Sequence, residues 1–424
     1  MPSWKLNGFI ALAFMALATP AGAQTTAPPP VGEKVEILPV GFSPNGLSGP
    51  GGDRLRDALA AAQFVALGED HGLAGAPKLA EALAHDAAAI AETQNAGPLY
   101  HAVEVGPHSA AWIGARIETG GVDSLADAFA GRPWAMPFLS NREDAALAAP
   151  FARSGRLWGI DQEFIGAPSI LLETLAARTK DEAVRARLAA WLEQDRAALS
   201  AGNFGAITMS TAAPADFAAL RKPFAGDAEA AAIIDALAES ARIYGLNNSG
   251  QYLQNNEERQ ALMQDYFLTA YRNAAVPAPR VLFKMGAYHM GRGTTPTSIY
   301  DIGSLLPGIA AANGRTSLHI AYVPTAGMVR QVKPSPERFT DVTAYRDEAI
   351  APILDAAGIA HDAIPADGHV LIPIAPLRHN LQGKKLRDLP AFSRFLLLGF
   401  DYLVTTRGAE AATHFEAIGK PAPR

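Results

Sequence analysis

Residues 63–72 read QFVALGEDHG, an apolar run that passes directly into acidic and histidine residues. The same pattern recurs at 99–104, 157–163 and 281–289. Runs of this kind are typical of buried strands in a parallel sheet. Because the carboxyl ends of parallel strands meet at one edge, where open α/β sheets bind ligands, we expect the polar residues that follow the runs to lie together there. These residues are Glu69, His71, Glu104, Asp161, Glu163 and His289.

The order of predicted elements favours an α/β fold with a mainly parallel open sheet flanked by helices. Strands are predicted at 63–67, 99–105, 156–161, 280–286 and 317–323, with further strand signal at 369–374 and 395–404. A (β/α) barrel is the alternative, but it requires eight strand–helix units and the sequence offers about five to seven, so the open sheet is preferred. The Ala-rich helical segment at about 168–275 is too long for one crossover, and we interpret it as an insertion that caps the sheet edge. Residues 49–424 are therefore predicted to form a single α/β domain.

The N-terminus has the pattern of a secretory signal. Lys5 precedes an apolar run at 9–18, and an Ala-x-Ala cleavage signature ends at Ala23. We therefore predict a signal peptide at 1–23 and a flexible leader at 24–48. The mature protein is then expected to be periplasmic or secreted, without a stable membrane anchor after cleavage.

Composition excludes several classes of function. The formal net charge is −6 and no Lys/Arg cluster carries interleaved aromatic residues, which argues against nucleic acid as a partner. The chain has no cysteine, so disulfides, a thiol nucleophile and thiolate zinc sites are excluded. The serine-hydrolase elbow, the His-Glu-x-x-His motif and the Walker motif are also absent. A small-molecule substrate or ligand is the partner that we expect, and no pattern specifies an oligomeric state.

Glu69 and His71 are the strongest candidates for chemistry, since they follow a buried run and are bracketed by Gly68 and Gly72. A carboxylate can orient an imidazole and stabilise its charge, which would make His71 a general base. Both side chains could instead ligate a metal. The structural alternative is an exposed turn in which Asp70 acts as a cap.

The later candidates have weaker patterns. Glu104 interrupts an apolar run and requires an Arg or His partner if it is buried, so a purely structural salt bridge is the alternative to a role in the site. Asp161 is placed where the third strand ends. His289 could bind a metal, act as a second base or polarise a substrate carbonyl, and a core histidine is the alternative. Arg292 could clamp a carboxylate or a phosphate.

In the order of these motifs, residues 50–325 resemble the erythromycin-esterase-like superfamily and its relatives, the ChaN-type haem-binding uptake proteins and the Tiki/TraB group. The similar segments are Leu67–Gly72, Val103–Val105, Trp134 with Asn141–Glu143, Gly159–Asp161, Arg259–Met263 and Met285–Gly291. One residue separates Glu69 from His71, as in the ChaN-type proteins, whereas the esterases usually have two. The lipobox cysteine of ChaN-type lipoproteins is absent.

The resemblance implies a hydrolase, not of the serine type, in which His71 activates water for attack on an ester, lactone or amide. It implies that Glu69 supports His71, that His289 is the later catalytic histidine, and that no cofactor is required. The alternative is a haem- or metal-binding protein of the ChaN/Tiki-like group that uses His71, Glu69 and His289 as ligands. The supporting or substrate-binding residues predicted from pattern and resemblance are Glu104, Asp161, Arg292, Arg259 and Glu143.

Overall fold

The run at 63–67 forms the middle of a central strand in a nine-stranded sheet. The structure is a computed structural model that describes residues 32–333 and 338–418, and the predicted signal peptide at 1–23 lies outside the described residues. The strands are β1 (Leu38–Ser43), β2 (Gly46–Ser48), β3 (Ala62–Glu69), β4 (Leu99–Val103), β5 (Leu157–Gly159), β6 (Arg280–Gly286), β7 (Thr316–Tyr322), β8 (Met328–Val332), β9 (Thr340–Ala344), β10 (His369–Pro373) and β11 (Tyr402–Thr405).

The sheet is open and its order is β2-β1-β10-β11-β7-β3-β6-β4-β5. The six strands from β11 to β5 pair in parallel. At the other end, β10, β1 and β2 extend the sheet with antiparallel pairs, while β8 and β9 form a separate hairpin. The prediction of an α/β fold with a mainly parallel open sheet is confirmed.

β3 lies between β6 and β7 and determines where the site lies. All eight of its residues are buried, as expected for a continuous apolar run covered by helices on both faces. Its last residue, Glu69, pairs with Gly286 on one side and Tyr322 on the other. Val103 at the end of β4 pairs with Lys284, two residues before Gly286. The carboxyl ends of the parallel strands are therefore nearly level, and their following loops meet at one edge.

Helices cover both faces of the sheet, and in the described part of the chain none of them is long and apolar enough to cross a membrane. The helices that precede β6 in the sequence are α1 (Gly49–Ala61), α2 (Gly75–Thr93), α3 (Pro107–Gly120), α4 (Leu125–Phe129), α5 (Arg142–Arg153), α6 (Pro168–Ala177), α7 (Glu182–Ser200), α8 (Thr208–Thr211), α9 (Pro214–Arg221), α10 (Ala228–Asn248) and α11 (Tyr252–Arg272). Those that follow are α12 (Ala287–Met290), α13 (Ile302–Ala312), α14 (Ile350–Ala357), α15 (Ile374–Asn380), α16 (Lys384–Asp388), α17 (Ala391–Gly399) and α18 (Phe415–Ile418).

The predicted helical insertion consists of α6 to α11 and packs in two ways. Helices α6 to α10 bury their apolar residues against α3, α4 and α5 in a common core. By contrast, α11 packs on the sheet through Met263 and Phe267. The Phe267 ring lies 6.0 Å from Phe64 of β3 and 5.2 Å from Phe283 of β6, centroid to centroid. This contact fixes α11 above the central strands.

Two local predictions need correction, and one element was missed. Residues 38–48, predicted as part of a flexible leader, form β1 and β2, because Leu38 and its neighbours pair with β10 far along the chain. The strand signal at 395–404 divides into the end of α17 and the strand β11. The hairpin of β8 and β9 was not predicted at all.

Candidate active site

Glu69 and His71 form a hydrogen-bonded pair at the end of β3. The His71 Nδ1 lies 3.0 Å from the Glu69 Oε1. The Glu69 side chain is 2% exposed, whereas that of His71 is 38% exposed. The imidazole stacks on the Phe138 ring, with 4.1 Å between centroids. Gly72 follows at φ +85°, and a Cβ there would collide with the backbone carbonyl of Arg330, so the turn after His71 requires glycine.

The charge of Glu69 determines the tautomer of His71. Burial raises the pKa of Glu69, but the ammonium of Lys284 and the imidazole of His71 outweigh it, and the net pKa is lowered. An ionised carboxylate only accepts hydrogen bonds, so Nδ1 of His71 donates to it. Neutral His71 therefore carries its lone pair on Nε2. That nitrogen is the one not held by Glu69.

Glu104 connects the two histidines. Its Oε1 accepts from the Arg259 Nη2 at 3.0 Å and lies 3.2 Å from the His289 Nε2. Its Oε2 accepts the Gly286 N–H at 2.7 Å and lies 3.6 Å from the His71 Nε2. Burial opposes ionisation, but the two histidines and Arg259 hold the pKa of Glu104 well below its usual range. Glu104 is thus a buried carboxylate with three close partners, Arg259, His289 and the Gly286 N–H, and it lies near His71.

Arg259 links Glu104 to the end of the neighbouring strand. Its guanidinium donates from Nε to the Asp161 Oδ1 at 2.9 Å and from Nη2 to the Asp161 Oδ2 at 2.5 Å. This two-pronged geometry is the strong form of an arginine–carboxylate pair. Asp161 is 5% exposed, so each carboxylate that Arg259 contacts is buried.

His289 is held from both sides of its ring. Its Nδ1 lies 2.9 Å from the Asp301 Oδ2, opposite the contact of Nε2 with Glu104. Burial lowers the pKa of His289, but Asp301 and Glu104 outweigh it and raise that pKa to about 10. His289 is therefore an imidazolium at neutral pH. Asp301 is itself fixed at the start of α13, where its Oδ1 accepts the Ile302 N–H at 2.6 Å.

His71 is also easier to protonate than a free histidine. Burial lowers its pKa and so does the charge of Lys284, but Glu104 and Glu69 outweigh both and the net pKa is raised. Its exposure and its defined tautomer distinguish it from His289, which is held as an imidazolium. The two histidines are therefore suited to different tasks.

Lys284 and Asp144 belong to the same cluster, and the sequence analysis missed both. The Lys284 Nζ lies 2.6 Å from the Glu69 Oε1 and 2.6 Å from the Asp144 Oδ1. The signal in the sequence was a lysine in the middle of the apolar run of β6, since a charge buried there requires partners. Asp144, on α5, has no comparable signal.

A cleft of about 780 Å³ opens above this cluster. Its floor contains His71, His289, Glu104 and Arg259. Arg259 is the contribution of the helical insertion to the lining, whereas the hairpin of β8 and β9 and the segment that follows it form much of the wall. The residues of that wall are Val329, Gln331, Thr343, Ala344, Tyr345, Arg346, Glu348 and Ala349, and Tyr288 and Phe392 also line the cleft.

The structure does not bring Arg292 or Glu143 into the cleft lining. Arg292 donates to Asp401 instead, near the start of β11. Glu143 accepts the backbone N–H and the hydroxyl of Thr413, at 2.9 and 2.8 Å. Both residues tie the C-terminal segment to the rest of the fold, so the predicted substrate-binding roles of Arg292 and Glu143 have no support in this geometry.

Glu163 also points away from the cluster. Its carboxylate accepts the His108 N–H at 2.9 Å and the Ser109 hydroxyl at 2.5 Å, at the start of α3. Burial raises the pKa of Glu163 to about 7. Of the two acidic residues after β5, Asp161 is therefore the one that reaches the site.

The acidic side chains of the cluster are already paired in this structure. Glu69, Glu104 and Asp301 already bind Lys284, Arg259 or histidine, as given above. Within residues 32–333 and 338–418, no group of three or more histidine and carboxylate side chains is arranged to hold a metal. A metal or haem bound by His71, Glu69 and His289 stays a prediction, and it would require those ion pairs to open.

Comparison with known proteins relates the chain to solved structures. No family model matches the sequence, and no curated protein matches it significantly. A structure of the erythromycin esterase EreC, a histidine-to-asparagine mutant in its open conformation, superposes with a TM-score of 0.53 at 17% identity, covering 85% of this chain and 94% of that one. This chain has an erythromycin-esterase-like fold.

Two further structures share the erythromycin-esterase-like fold. A succinoglycan biosynthesis protein superposes with a TM-score of 0.51 at 13% identity, over 89% of this chain and 95% of that chain. A Bacillus cereus protein gives a TM-score of 0.51 at 11% identity, over 89% and 96% of the two chains. The resemblance in fold that the sequence motifs predicted is therefore confirmed, and at these identities it concerns the fold alone.

Proposed function

We propose that this protein is an exported hydrolase that cleaves an ester, lactone or amide by attack of a water molecule activated by His71. The observation that carries the proposal is the arrangement of His71. Its Nδ1 is held by the buried Glu69 carboxylate, its ring is partly exposed, and it lines a cleft large enough for a small molecule. A histidine with one nitrogen fixed and the other available is the usual form of a general base.

In the proposed step, the His71 Nε2 takes a proton from water as the water oxygen bonds to the carbonyl carbon. The tetrahedral oxyanion then collapses, the bond from carbon to the leaving oxygen or nitrogen breaks, and the proton on His71 passes to the leaving group. The products are a carboxylic acid and an alcohol or amine. Glu69 stays ionised and stabilises the imidazolium formed in the middle of the reaction.

His289 supplies the positive charge for the oxyanion in this proposal. It lines the same cleft as His71, it is protonated at neutral pH because Asp301 and Glu104 flank it, and it is 13% exposed. A fixed cation in a site shielded from water stabilises developing negative charge more than it would in bulk solvent. The proposal therefore assigns the role of base to the more exposed His71 and the role of electrophile to His289.

Export, a small-molecule substrate and independence of a cofactor are parts of the same proposal. Export rests on the signal pattern at 1–23. Independence of a cofactor rests on the proton-transfer and charge-stabilising groups that the chain itself provides.

The proposal is tested by hydrolysis of a panel of 4-nitrophenyl esters, lactones including erythromycin, and anilides.

Single turnovers in H₂¹⁸O with enzyme in excess distinguish direct attack of water from attack by Glu69. Direct attack of water on the carbonyl places one ¹⁸O in the acid product in the first turnover. Attack by Glu69 to form an anhydride, followed by attack of water on the Glu69 carbonyl carbon, would instead leave the first product unlabelled and place the ¹⁸O in Glu69. Activity that a chelator abolishes and zinc restores would favour the metal alternative over this proposal.

The pH dependence should be bell-shaped. Catalysis requires neutral His71, whose pKa is raised above the ordinary value of about 6.5, and protonated His289, whose pKa is about 10. We therefore expect kcat/KM to rise as the pH passes through the pKa of His71, to level off, and to fall again near pH 10. Stopped-flow assays with brief exposure to each pH check this profile. A rate that is constant from pH 5 to pH 8 would contradict the role of His71.

A further inference from the structure

Lys284 is the least expected member of the cluster. It lies in β6 between Phe283 and Met285, its side chain is 5% exposed, and burying an ammonium ion costs several kcal/mol unless it is well paired. A methionine would fill a similar volume in this strand without that cost. The lysine is compensated by two carboxylates, from Glu69 on β3 and Asp144 on α5.

We propose that Lys284 and Asp144 are positioning residues that hold the Glu69 carboxylate in place for His71. The proposal rests on the hydrolase function proposed above and extends it by two residues. It describes a chain of contacts that runs from α5 through β6 to the end of β3 and the cleft.

The geometry shows how the pair acts on His71. One oxygen, the Glu69 Oε1, accepts from the Lys284 Nζ at 2.6 Å and from the His71 Nδ1 at 3.0 Å. A carboxylate that is anchored by a buried ammonium has little freedom to rotate away from the imidazole. The orientation of the His71 ring therefore depends on a contact that lies behind it, out of reach of the cleft.

Asp144 fixes the lysine from the opposite side. Its Oδ1 contacts the Lys284 Nζ at 2.6 Å, and its Oδ2 accepts from the Asn141 Nδ2 at 3.2 Å. Burial and the charge of Glu69 raise the pKa of Asp144, against the effect of Lys284, to about 6. The ammonium is thereby placed between two carboxylates rather than being free to turn toward the cleft.

Electrostatics give the pair a second effect on the base. The positive charge of Lys284 opposes protonation of His71, whereas Glu104 and Glu69 favour it. Without Lys284, His71 would face two carboxylates with one fewer cation nearby and would hold its proton to a higher pH. A lysine at this position thus keeps more of the His71 population in the neutral form that accepts a proton from water.

The test uses NMR titration of protein with ¹³C- and ¹⁵N-labelled histidine rings, with the His71 signals assigned by their absence in a His71→Gln variant. In Lys284→Met we expect the pKa of His71 to rise by about one unit and the Nδ1–H signal to change or broaden. If the enzyme hydrolyses a member of the panel, the acidic limb of its kcat/KM profile should move upward by the same amount. Asp144→Asn, which keeps a hydrogen-bonding group, should give a smaller change.

The double variant Lys284→Met/Asp144→Leu reduces the risk of misfolding relative to Lys284→Met alone, because no Asp144 carboxylate is left buried without its cation and Glu69 keeps its contact with His71. The matched control is Lys78→Met, which removes an exposed lysine paired with Glu410 and should leave the His71 titration unchanged. An unchanged His71 titration and tautomer in folded Lys284→Met would overturn the proposal. So would failure of the double variant to fold, since the pair would then serve the fold itself. The NMR readout does not need a substrate, so its result stands even if the panel shows no hydrolysis.

Discussion

His71→Ala is expected to lower kcat/KM by about 100- to 10,000-fold, the range that a positioned general base contributes. The substitution removes the only nitrogen proposed to take the proton from water. Its structural cost should be small, because the His71 side chain is 38% exposed and the Glu69 carboxylate retains its contact with Lys284. Steady-state hydrolysis of the best substrate in the panel measures the effect, and urea unfolding measures the free energy of unfolding in parallel.

A matched control comes from His361, which is also partly exposed and also bonds to a carboxylate, that of Asp355 at 2.8 Å. His361→Ala removes the same chemical group from a site outside the cleft lining. We expect it to leave kcat/KM unchanged. Equal activity of His71→Ala and His361→Ala would contradict the assignment of His71 as the base.

The parts of the fold predicted correctly are those with the densest apolar signal. The runs that became β3, β4 and β6 are buried from end to end, and such runs have few other stable arrangements. Once they were placed in parallel, the convergence of Glu69, Glu104 and His289 followed from the geometry of the sheet. The convergence of these three residues could be predicted without knowing the conformation of the loops that follow the strands.

The parts that were missed depend on contacts between distant residues. β9 is a short run of small and polar residues, and its partner β8 has only a weak apolar pattern. The two strands that form the wall of the cleft could therefore not be predicted from the spacing of apolar residues. Arg292 follows β6 closely in sequence, but its partner Asp401 is 109 residues away. An arginine in a glycine-rich turn can bind a ligand or form a structural ion pair. In this fold Arg292 forms the ion pair, because Asp401 lies next to it.

Lys284 illustrates a different reason for failure. It was included in a predicted strand as one polar residue within an apolar run, and its charge was given no role. A buried lysine requires carboxylates, so its position could have suggested a partner near the end of β3. Asp144 could not have been found in this way, because its approach depends on the packing of α5.

Arg259→Met is expected to lower the free energy of unfolding by about 3 kcal/mol, at the lower end of the range for breaking a buried ion pair. Arg259 contacts both Glu104 and Asp161, whose side chains are 5% and 7% exposed. Methionine has a similar length but leaves Asp161 without the cation that binds both of its oxygens. Glu104 keeps His289 and the Gly286 N–H as partners, which limits its share of the loss.

The control for this prediction is Arg242→Met. Arg242 also contacts two carboxylates, those of Glu239 and Glu258, but its side chain is 43% exposed, so replacing it should lower the free energy of unfolding by at most about 1 kcal/mol.

The stability lost in Arg259→Met should also depend on pH, because Arg259 and the two histidines lower the pKa of Glu104 against the effect of burial. A carboxylate with a lowered pKa contributes stability above its unfolded value of about 4.3, and that contribution is lost as the pH falls through the lower folded value. The gap in unfolding free energy between wild type and Arg259→Met should therefore be full at pH 7 and narrow in acid. Equal losses for the two arginine variants at pH 7 would mean that Arg259 acts as an ordinary surface cation and not as the link between the buried carboxylates at the ends of β4 and β5.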